Sequence, residues 1–137
     1  MQDLSKEEKV ELILGFQYSP NGFWQWELQK TPIIDSMIEE GLVINSEDYE
    51  QLYILSNEGK KLLHNYIEDI STTFINQMKR KGFEMQYSDI VKWFQTEYNQ
   101  KNEIEGKDIA DYILLNIERY GYKYLKNKNG TCRLRIM

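Results

Sequence analysis

A regular spacing of apolar residues through the middle of the chain constrains the fold more than any other feature of the sequence. Its residues follow one another at intervals of four, three, four and four positions, which is the spacing of one face of an α-helix. They are Leu63, Ile67, Ile70, Phe74 and Met78. Ser56 precedes the run as a helix N-cap, and no Pro or Gly interrupts it before Gly82. The sequence therefore predicts one long helix, over about residues 57–81, across the centre of the chain.

Turn and capping residues divide the part before this helix into shorter elements. Ser5 is placed to cap a helix over residues 6–16, and Thr31-Pro32 begins another helix that Gly41 closes. Two apolar segments, 42–44 and 51–55, flank a polar link and predict a β-hairpin. The aromatic segment around Trp24 and Trp26 leads into a further helical segment.

The part after the long helix repeats this order. Residues 83–86 form a predicted short strand, and Ser88 with Asp89 opens a helix. A polar loop and a helix from about residue 106 or 107 to 120 follow. Two strands, 122–126 and 131–136, flank Asn129-Gly130, which is a strong hairpin signal.

This order of elements resembles the winged-helix branch of the helix-turn-helix superfamily, present twice in tandem. The segment "PIIDSMIEEGLVINSEDYEQLYILSNEGKKLL" looks like a third helix, a wing and the capped helix after the wing. In the second half, "DIADYILLNIERYGYKYLKNKNGTCRLRI" looks like a third helix followed by its wing. The resemblance implies an α+β, mostly helical fold, with two winged-helix lobes joined by the long helix. Their expected ranges are 1–70 and 71–137.

Charge separates the two predicted lobes. Residues 1–70 hold 14 acidic and 5 basic residues, whereas residues 71–137 hold 8 acidic and 12 basic residues. From Arg119 to the last residue there are six basic residues and no carboxylate. A phosphate ligand would therefore be attracted to the second lobe and repelled by the first.

The predicted last hairpin offers the strongest candidate site. If Asn129-Gly130 is a two-residue turn, Lys126 lies opposite Arg133, Tyr124 opposite Arg135 and Leu125 opposite Leu134. A basic strand face is then expected, and it resembles a wing that binds phosphates. The alternative interpretations are a solvated edge that prevents aggregation and a surface for an anionic protein partner. The candidate nucleic-acid contacts are Lys107, Lys123, Tyr124, Lys126, Lys128, Arg133 and Arg135.

Two sets of residues argue against a simple DNA-binding role for the whole chain. The predicted third helix of the second lobe carries three acids, Asp108, Asp111 and Glu118, which would be repelled from a DNA groove. Sequence-specific reading by this helix alone is therefore not expected, whereas binding led by the wing remains compatible with them. The first lobe is acidic at its own third helix and wing, so it is a candidate dimerisation or protein-docking surface, or simply a solubilising one. Its candidate partner contacts are Trp24, Trp26, Glu39 and Glu40.

Catalytic and metal chemistry is not expected. His64 is the single histidine and Cys132 the single cysteine, and the eight glycines form no phosphate-binding loop. We therefore expect no enzyme, no cofactor and no metal. Without a long apolar segment or a signal peptide, a cytoplasmic protein that does not contact membranes is expected.

These observations predict a DNA-binding protein, such as a bacterial or phage transcriptional regulator or accessory factor. It would contact the phosphates of duplex DNA through its C-terminal wing, while the acidic lobe would form a homodimer or recruit a partner. The alternative is a protein–protein interaction module whose acidic lobe docks on a basic partner or mimics DNA, without binding nucleic acid.

Overall fold

The fold is α+β and mostly helical. A computed structural model describes residues 4–17, 23–24 and 32–137, and over these residues it contains five α-helices and two three-stranded antiparallel sheets. Backbone contacts divide the chain into unit 1, Met1–Tyr66, and unit 2, Ile67–Met137. The predicted helical segment after Trp26 and the Thr31 cap lie outside the described residues. Within the described ranges no helix has the length and apolar character needed to cross a membrane.

Unit 1 is built from elements that begin at capping residues. Their bounds are α1 Lys6–Gln17, β1 Phe23–Trp24, α2 Pro32–Glu39, β2 Val43–Asn45 and β3 Leu52–Leu55. At the start of α1 the Glu8 amide donates to Ser5 Oγ at 3.2 Å, and the Ser5 amide donates to Glu8 Oε1 at 3.0 Å. This reciprocal capping box confirms the predicted cap. Gly41, with φ of 73°, ends α2 in the left-handed conformation, also as predicted.

The strands of unit 1 form a sheet in the order β1–β3–β2. Ile44 pairs with Ile54, and Trp24 pairs with Leu52. The helices α1 and α2 and the start of β2 supply a buried core, against which half-buried residues such as Tyr53 and Tyr66 pack. The buried members are Leu12, Phe16, Ile33, Met37, Leu42 and Val43.

Helix α3, Asn57–Arg80, confirms the predicted long helix. Ser56 caps it, because its Oγ accepts the Gly59 amide at 3.1 Å. Gly59 has a second reason to be glycine: a Cβ there would lie 2.3 Å from the backbone oxygen of Leu42. The start of α3 is thereby held close to the chain that enters β2.

Unit 2 contains the rest of α3 and the elements that follow it. These are β4 Glu84–Gln86, α4 Tyr87–Glu97, α5 Glu103–Leu115, a 3₁₀ turn Ile117–Tyr120, β5 Tyr122–Lys126 and β6 Thr131–Ile136. The strand order is β4–β6–β5. One face of this sheet and the three helices enclose a core that includes Phe74, Met78, Ile90, Phe94, Ile109, Ile113 and Cys132, all completely or almost completely buried.

Two helix starts in unit 2 differ from the sequence predictions. Helix α4 begins at Tyr87 rather than after a Ser88 cap, because β4 leads directly into it. Helix α5 begins at Glu103, since Asn102 Oδ1 accepts the Glu105 amide at 3.0 Å. Gly106, expected near the start of the helix, instead lies against α4, where a Cβ would come within 2.9 Å of Gln95 Cβ.

Candidate nucleic-acid interface

The loop between β5 and β6 sets the positions of the candidate site residues. The Gly130 amide donates to the Asn127 carbonyl at 3.1 Å, and the Asn127 amide donates to the Thr131 carbonyl at 2.9 Å. Gly130 adopts a left-handed φ of 87°. The connection is therefore a three-residue loop that ends in a left-handed glycine, not the predicted two-residue turn. The Asn129 side chain also accepts the Thr131 amide at 3.1 Å, which stabilises this longer loop.

The extra loop residue shifts the strand register by one position. Arg133 lies opposite Leu125, Arg135 opposite Lys123 and Cys132 opposite Lys126. The predicted pairs of Lys126 with Arg133, Tyr124 with Arg135 and Leu125 with Leu134 are wrong. Successive side chains of a strand point to opposite faces of the sheet. A register shift of one residue therefore changes which residues of β5 and β6 share a face.

One face of the unit 2 sheet, here called the outward sheet face, is solvent-exposed and basic. Opposite residues of an antiparallel pair share a face, and Cys132 and Leu134 of β6 point into the core. The alternate positions of β6 and their partners on β4 and β5 therefore point outward. The residues of the outward sheet face are Glu84, Gln86, Lys123, Leu125, Thr131, Arg133 and Arg135.

Three cations and one carboxylate lie on the outward sheet face. Arg133 Nε donates to Glu84 Oε1 at 2.8 Å, so that this pair is internally neutralised. Lys123 and Arg135 are directly opposite one another, and within the described residues neither takes part in an ion pair. Like charges in opposite positions destabilise a strand pair. An anionic ligand would remove this repulsion.

Two predicted site residues of the hairpin point to the other side of the sheet. The ammonium group of Lys126 lies 4.0 Å from the ring centroid of Tyr87, in a cation–π contact. The Tyr124 hydroxyl and Cys132 Sγ are 3.2 Å apart, and burial with this contact raises the pKa of Tyr124. Lys126 and Tyr124 are therefore not on the face that carries Arg133 and Arg135.

Lys128 is exposed in the loop between β5 and β6. Lys107, the remaining predicted contact, belongs to a cluster that includes Lys126, which we call the Tyr87 cluster: Tyr87, Lys107, Asp111 and Lys126. Lys107 Nζ lies 2.7 Å from Asp111 Oδ2, and the Tyr87 hydroxyl donates to Asp111 Oδ1. Burial and then the Asp111 carboxylate raise the pKa of Tyr87 to about 12. The four side chains line a pocket of about 380 Å³. The i,i+4 spacing of Lys107 and Asp111 was a readable signal for their contact, whereas nothing in the sequence pointed to Tyr87.

A second pocket, here called the α3–α4 groove, lies between the end of α3, strand β4 and helix α4. Its volume is about 670 Å³, and three members of the outward sheet face, Glu84, Gln86 and Thr131, contribute to its wall. The groove is also lined by the side chains of Gln77, Lys81, Asp89, Lys92, Trp93 and Thr96. This groove could not be predicted from the sequence, because it depends on the packing of α3 against α4. Lys79 and Arg80 are exposed in the last turn of α3.

The first hairpin, β2–β3, is acidic. Residues 46–51 connect its strands, and Glu47, Asp48 and Glu50 are exposed there. Asn45 Nδ2 donates to the Glu50 carbonyl at 2.5 Å, and the Asp48 amide donates to Ser46 Oγ at 3.2 Å. These bonds fix a compact loop.

Of the predicted partner contacts, Glu39 and Glu40 are exposed at the end of α2. Trp24 lies in β1, at the edge of the sheet next to β3, and Trp26 lies outside the described residues. In unit 1 the described residues thus include the exposed acidic end of α2 and, from the aromatic segment, Trp24 but not Trp26.

Comparison with known proteins found no matching family model, no matching curated protein and no matching solved structure.

Proposed function

We propose that unit 2 is a winged helix that binds the phosphates of duplex DNA through its outward sheet face. A helix, a strand, two helices and a strand pair follow one another in unit 2, and its strand order is β4–β6–β5. This order supports the winged-helix assignment, and the described elements of unit 1 have the corresponding order β1–β3–β2. The proposed role is that of a bacterial or phage transcriptional regulator or accessory factor.

A single observation carries the proposal: Lys123 and Arg135 lie opposite one another on a solvent-exposed strand pair, and neither has a carboxylate partner among the described residues. Arg133 is on the same face, and Lys128 is exposed in the adjoining loop. An arginine guanidinium can donate two parallel hydrogen bonds to a phosphate, and a lysine contributes a compact positive charge. Lys123, Arg135 and Lys128 therefore provide a surface for several consecutive phosphates, next to the neutralised pair of Arg133 and Glu84.

Binding by this surface is expected to depend weakly on DNA sequence. The exposed side of α5 contains Asp108 and Asp111, and its Lys107 is already paired with Asp111. Carboxylates in a DNA groove are repelled by the flanking phosphates unless each accepts a hydrogen bond from a base. Phosphate contacts position a protein on DNA and carry no direct sequence information.

The test is a fluorescence-anisotropy titration of random-sequence duplex DNA at about 50 and about 200 mM salt. We expect binding that weakens steeply with salt, by about 0.9 logarithmic units of affinity per logarithmic unit of salt for each phosphate contacted. Lys123→Ala with Arg135→Ala should lower this slope by about 1.8. The matched control is Lys60→Ala with Lys61→Ala, which removes the same charge from exposed positions of α3 in unit 1. No binding at the lower salt concentration, or equal effects of the two double variants, would contradict the proposal.

A protein–protein interaction module is the second candidate. It is favoured by the acidic loop of the first hairpin, in which Tyr49 is 58% exposed between Asp48 and Glu50. Exposed tyrosine beside carboxylates is suited to a basic protein surface. Under this alternative, Tyr49→Ala would abolish capture of a basic partner protein, and duplex DNA would not bind at all.

A further inference from the structure

The α3–α4 groove is continuous with the outward sheet face, and this continuity suggests a more specific ligand than duplex DNA alone. Glu84, Gln86 and Thr131 belong to both surfaces. From this geometry we infer that the groove binds an unpaired nucleotide of a single strand whose neighbouring phosphates contact the outward sheet face. The inference deepens the proposed function and rests on its assignment of phosphates to that face.

The groove contains a fixed aromatic surface. Trp93 is half-buried, and its ring packs at 4.9 Å from the Phe94 centroid and 5.8 Å from the Phe74 centroid. Its remaining surface contributes to the groove wall. A ring that is already held in place loses little conformational entropy when a base stacks on it. Stacking on aromatic side chains is also the usual means by which proteins hold unpaired bases.

The polar side chains of the groove can bind the hydrogen-bonding edge of a base and the phosphate of a nucleotide. Gln77, Gln86 and Thr96 can each donate and accept hydrogen bonds, as the edges of a base require. Gln86 Nε2 donates to Thr131 Oγ1 at 2.9 Å, which orients its side chain and leaves its carbonyl oxygen as an acceptor. Lys81 and Lys92 supply two exposed positive charges for phosphate.

The charge balance of the groove favours an anion. Two carboxylates, Glu84 and Asp89, contribute to its wall. Glu84 is paired with Arg133 at 2.8 Å, so Lys81 and Lys92 face only Asp89. With Arg133 counted against Glu84, the two lysines and Asp89 leave the groove with one net positive charge. The cations Lys123 and Arg135, which take part in no ion pair among the described residues, lie beyond it on the outward sheet face.

The volume of the groove and its continuity with the outward sheet face favour a single strand as the ligand over a duplex or a free nucleotide. A pocket of about 670 Å³ has the volume of a small-molecule site and accepts one nucleotide rather than a base-paired helix. A free mononucleotide in the groove would leave the cations of the outward sheet face without a phosphate. A strand of several nucleotides would contact both surfaces at once.

The test uses ¹⁹F NMR of the full chain labelled with 5-fluorotryptophan, in which the Trp93 signal is assigned from the spectrum of Trp93→Phe. The probes are a twelve-nucleotide oligothymidylate, thymidine 5′-monophosphate and a dA·dT duplex of the same length. We expect the oligothymidylate to shift the Trp93 signal, the monophosphate to do so only at concentrations at least about 100-fold higher, and the duplex to leave it unchanged.

A double variant locates the effect. Lys81→Ala with Lys92→Ala should weaken oligothymidylate binding about tenfold or more at low salt and leave duplex affinity within about threefold of the parent. Lys60→Ala with Lys61→Ala is the matched control and should behave like the parent chain.

The outcomes separate this inference from the proposed function. Duplex binding without a Trp93 shift on addition of oligothymidylate would overturn the inference and leave the proposed function standing. An equal affinity for monophosphate and oligothymidylate, or an unchanged affinity in the groove double variant, would also overturn it. Failure of both the duplex and the single strand to bind would contradict both proposals.

Discussion

The two hairpins of this chain lie in sheets of equivalent strand order, β1–β3–β2 and β4–β6–β5, but they present opposite charges. The six-residue connection of the first hairpin exposes Glu47, Asp48 and Glu50. The three-residue loop of the second exposes Lys128, and its strands expose Lys123 and Arg135.

This difference shows that the strand order of a sheet does not determine which ligand the sheet attracts. Both sheets pack one face toward a buried core. The charged residues lie at solvent-exposed positions, in the connecting loop of the first hairpin and on the strands and loop of the second. The charge of those positions, and not the strand order, determines whether an anion is attracted or repelled. We therefore propose nucleic-acid contact for the second hairpin alone.

Charge inversion of the second hairpin should have the largest effect. Lys123→Glu with Arg135→Glu should weaken duplex binding by about two orders of magnitude at low salt, because two contacts become repulsions. Anisotropy titration measures the loss. The matched variant of the first hairpin, Glu47→Lys with Asp48→Lys, should retain parental affinity within about threefold. If that variant binds about 100-fold more tightly instead, net charge rather than its position controls binding, and the comparison between the hairpins fails.

Among the described glycines, Gly59 of unit 1 and Gly106 of unit 2 are the two at which a Cβ would come within 3.0 Å of another atom, and their replacement should affect stability strongly. Gly59→Ala places a Cβ 2.3 Å from Leu42 O, and Gly106→Ala places one 2.9 Å from Val91 O. Each should lower the free energy of unfolding by about 1–3 kcal/mol in urea titrations followed by circular dichroism. Gly15→Ala is the control, because a Cβ there would meet no described atom within 4 Å beyond its own helix backbone. It should be neutral or stabilising by up to about 1 kcal/mol. Equal effects of all three substitutions would contradict the packing described for the two units.

A smaller effect should separate ligand binding from stability in the second hairpin. Lys123→Thr removes the repulsion with Arg135 and places a β-branched residue in a strand. The free energy of unfolding should rise by about 0.2–1 kcal/mol, while duplex affinity falls. Thr131→Ser, on the same face without a change of charge, serves as the control for affinity. A loss of stability in Lys123→Thr would show that the two cations do not repel one another appreciably.

The smallest effect concerns the Tyr87 cluster behind the second hairpin. The pKa of Tyr87 is raised to about 12, so its protonated form stabilises the fold below pH 10 and this contribution is lost as pH rises from 10 to about 12. Asp111→Asn should lower this pKa only part of the way toward 10, because burial is the larger cause. NMR titration of ¹³Cζ-labelled tyrosine measures the change. An unaltered Tyr87 titration would show that the Asp111 carboxylate has no influence on it.

Local signals in the sequence predicted much of the secondary structure. Ser5 and Ser56 cap helices as expected, and the apolar spacing from Leu63 to Met78 indicated the long helix. The start of α5 was missed although Asn102, followed three residues later by Glu105, is a recognisable capping sequence. These features depend on neighbours in sequence and are therefore readable.

The strand register and the groove were not readable in the same way. Asn129-Gly130 is compatible with a two-residue turn and with a three-residue loop that ends in a left-handed glycine, and the two place Lys126 on opposite faces of the sheet. The contact of Lys126 with Tyr87 and the α3–α4 groove join residues that are far apart in sequence. The basic residues could thus be found from the sequence, but not the face that each occupies.

The most direct test of the central claim is a ¹⁵N–¹H correlation spectrum of the full chain during titration with random-sequence duplex DNA. We expect amide shift changes concentrated in β5, β6 and their loop, with none in residues 43–55. Comparable changes in both hairpins, or changes confined to the first, would contradict the claim that the second hairpin alone contacts DNA.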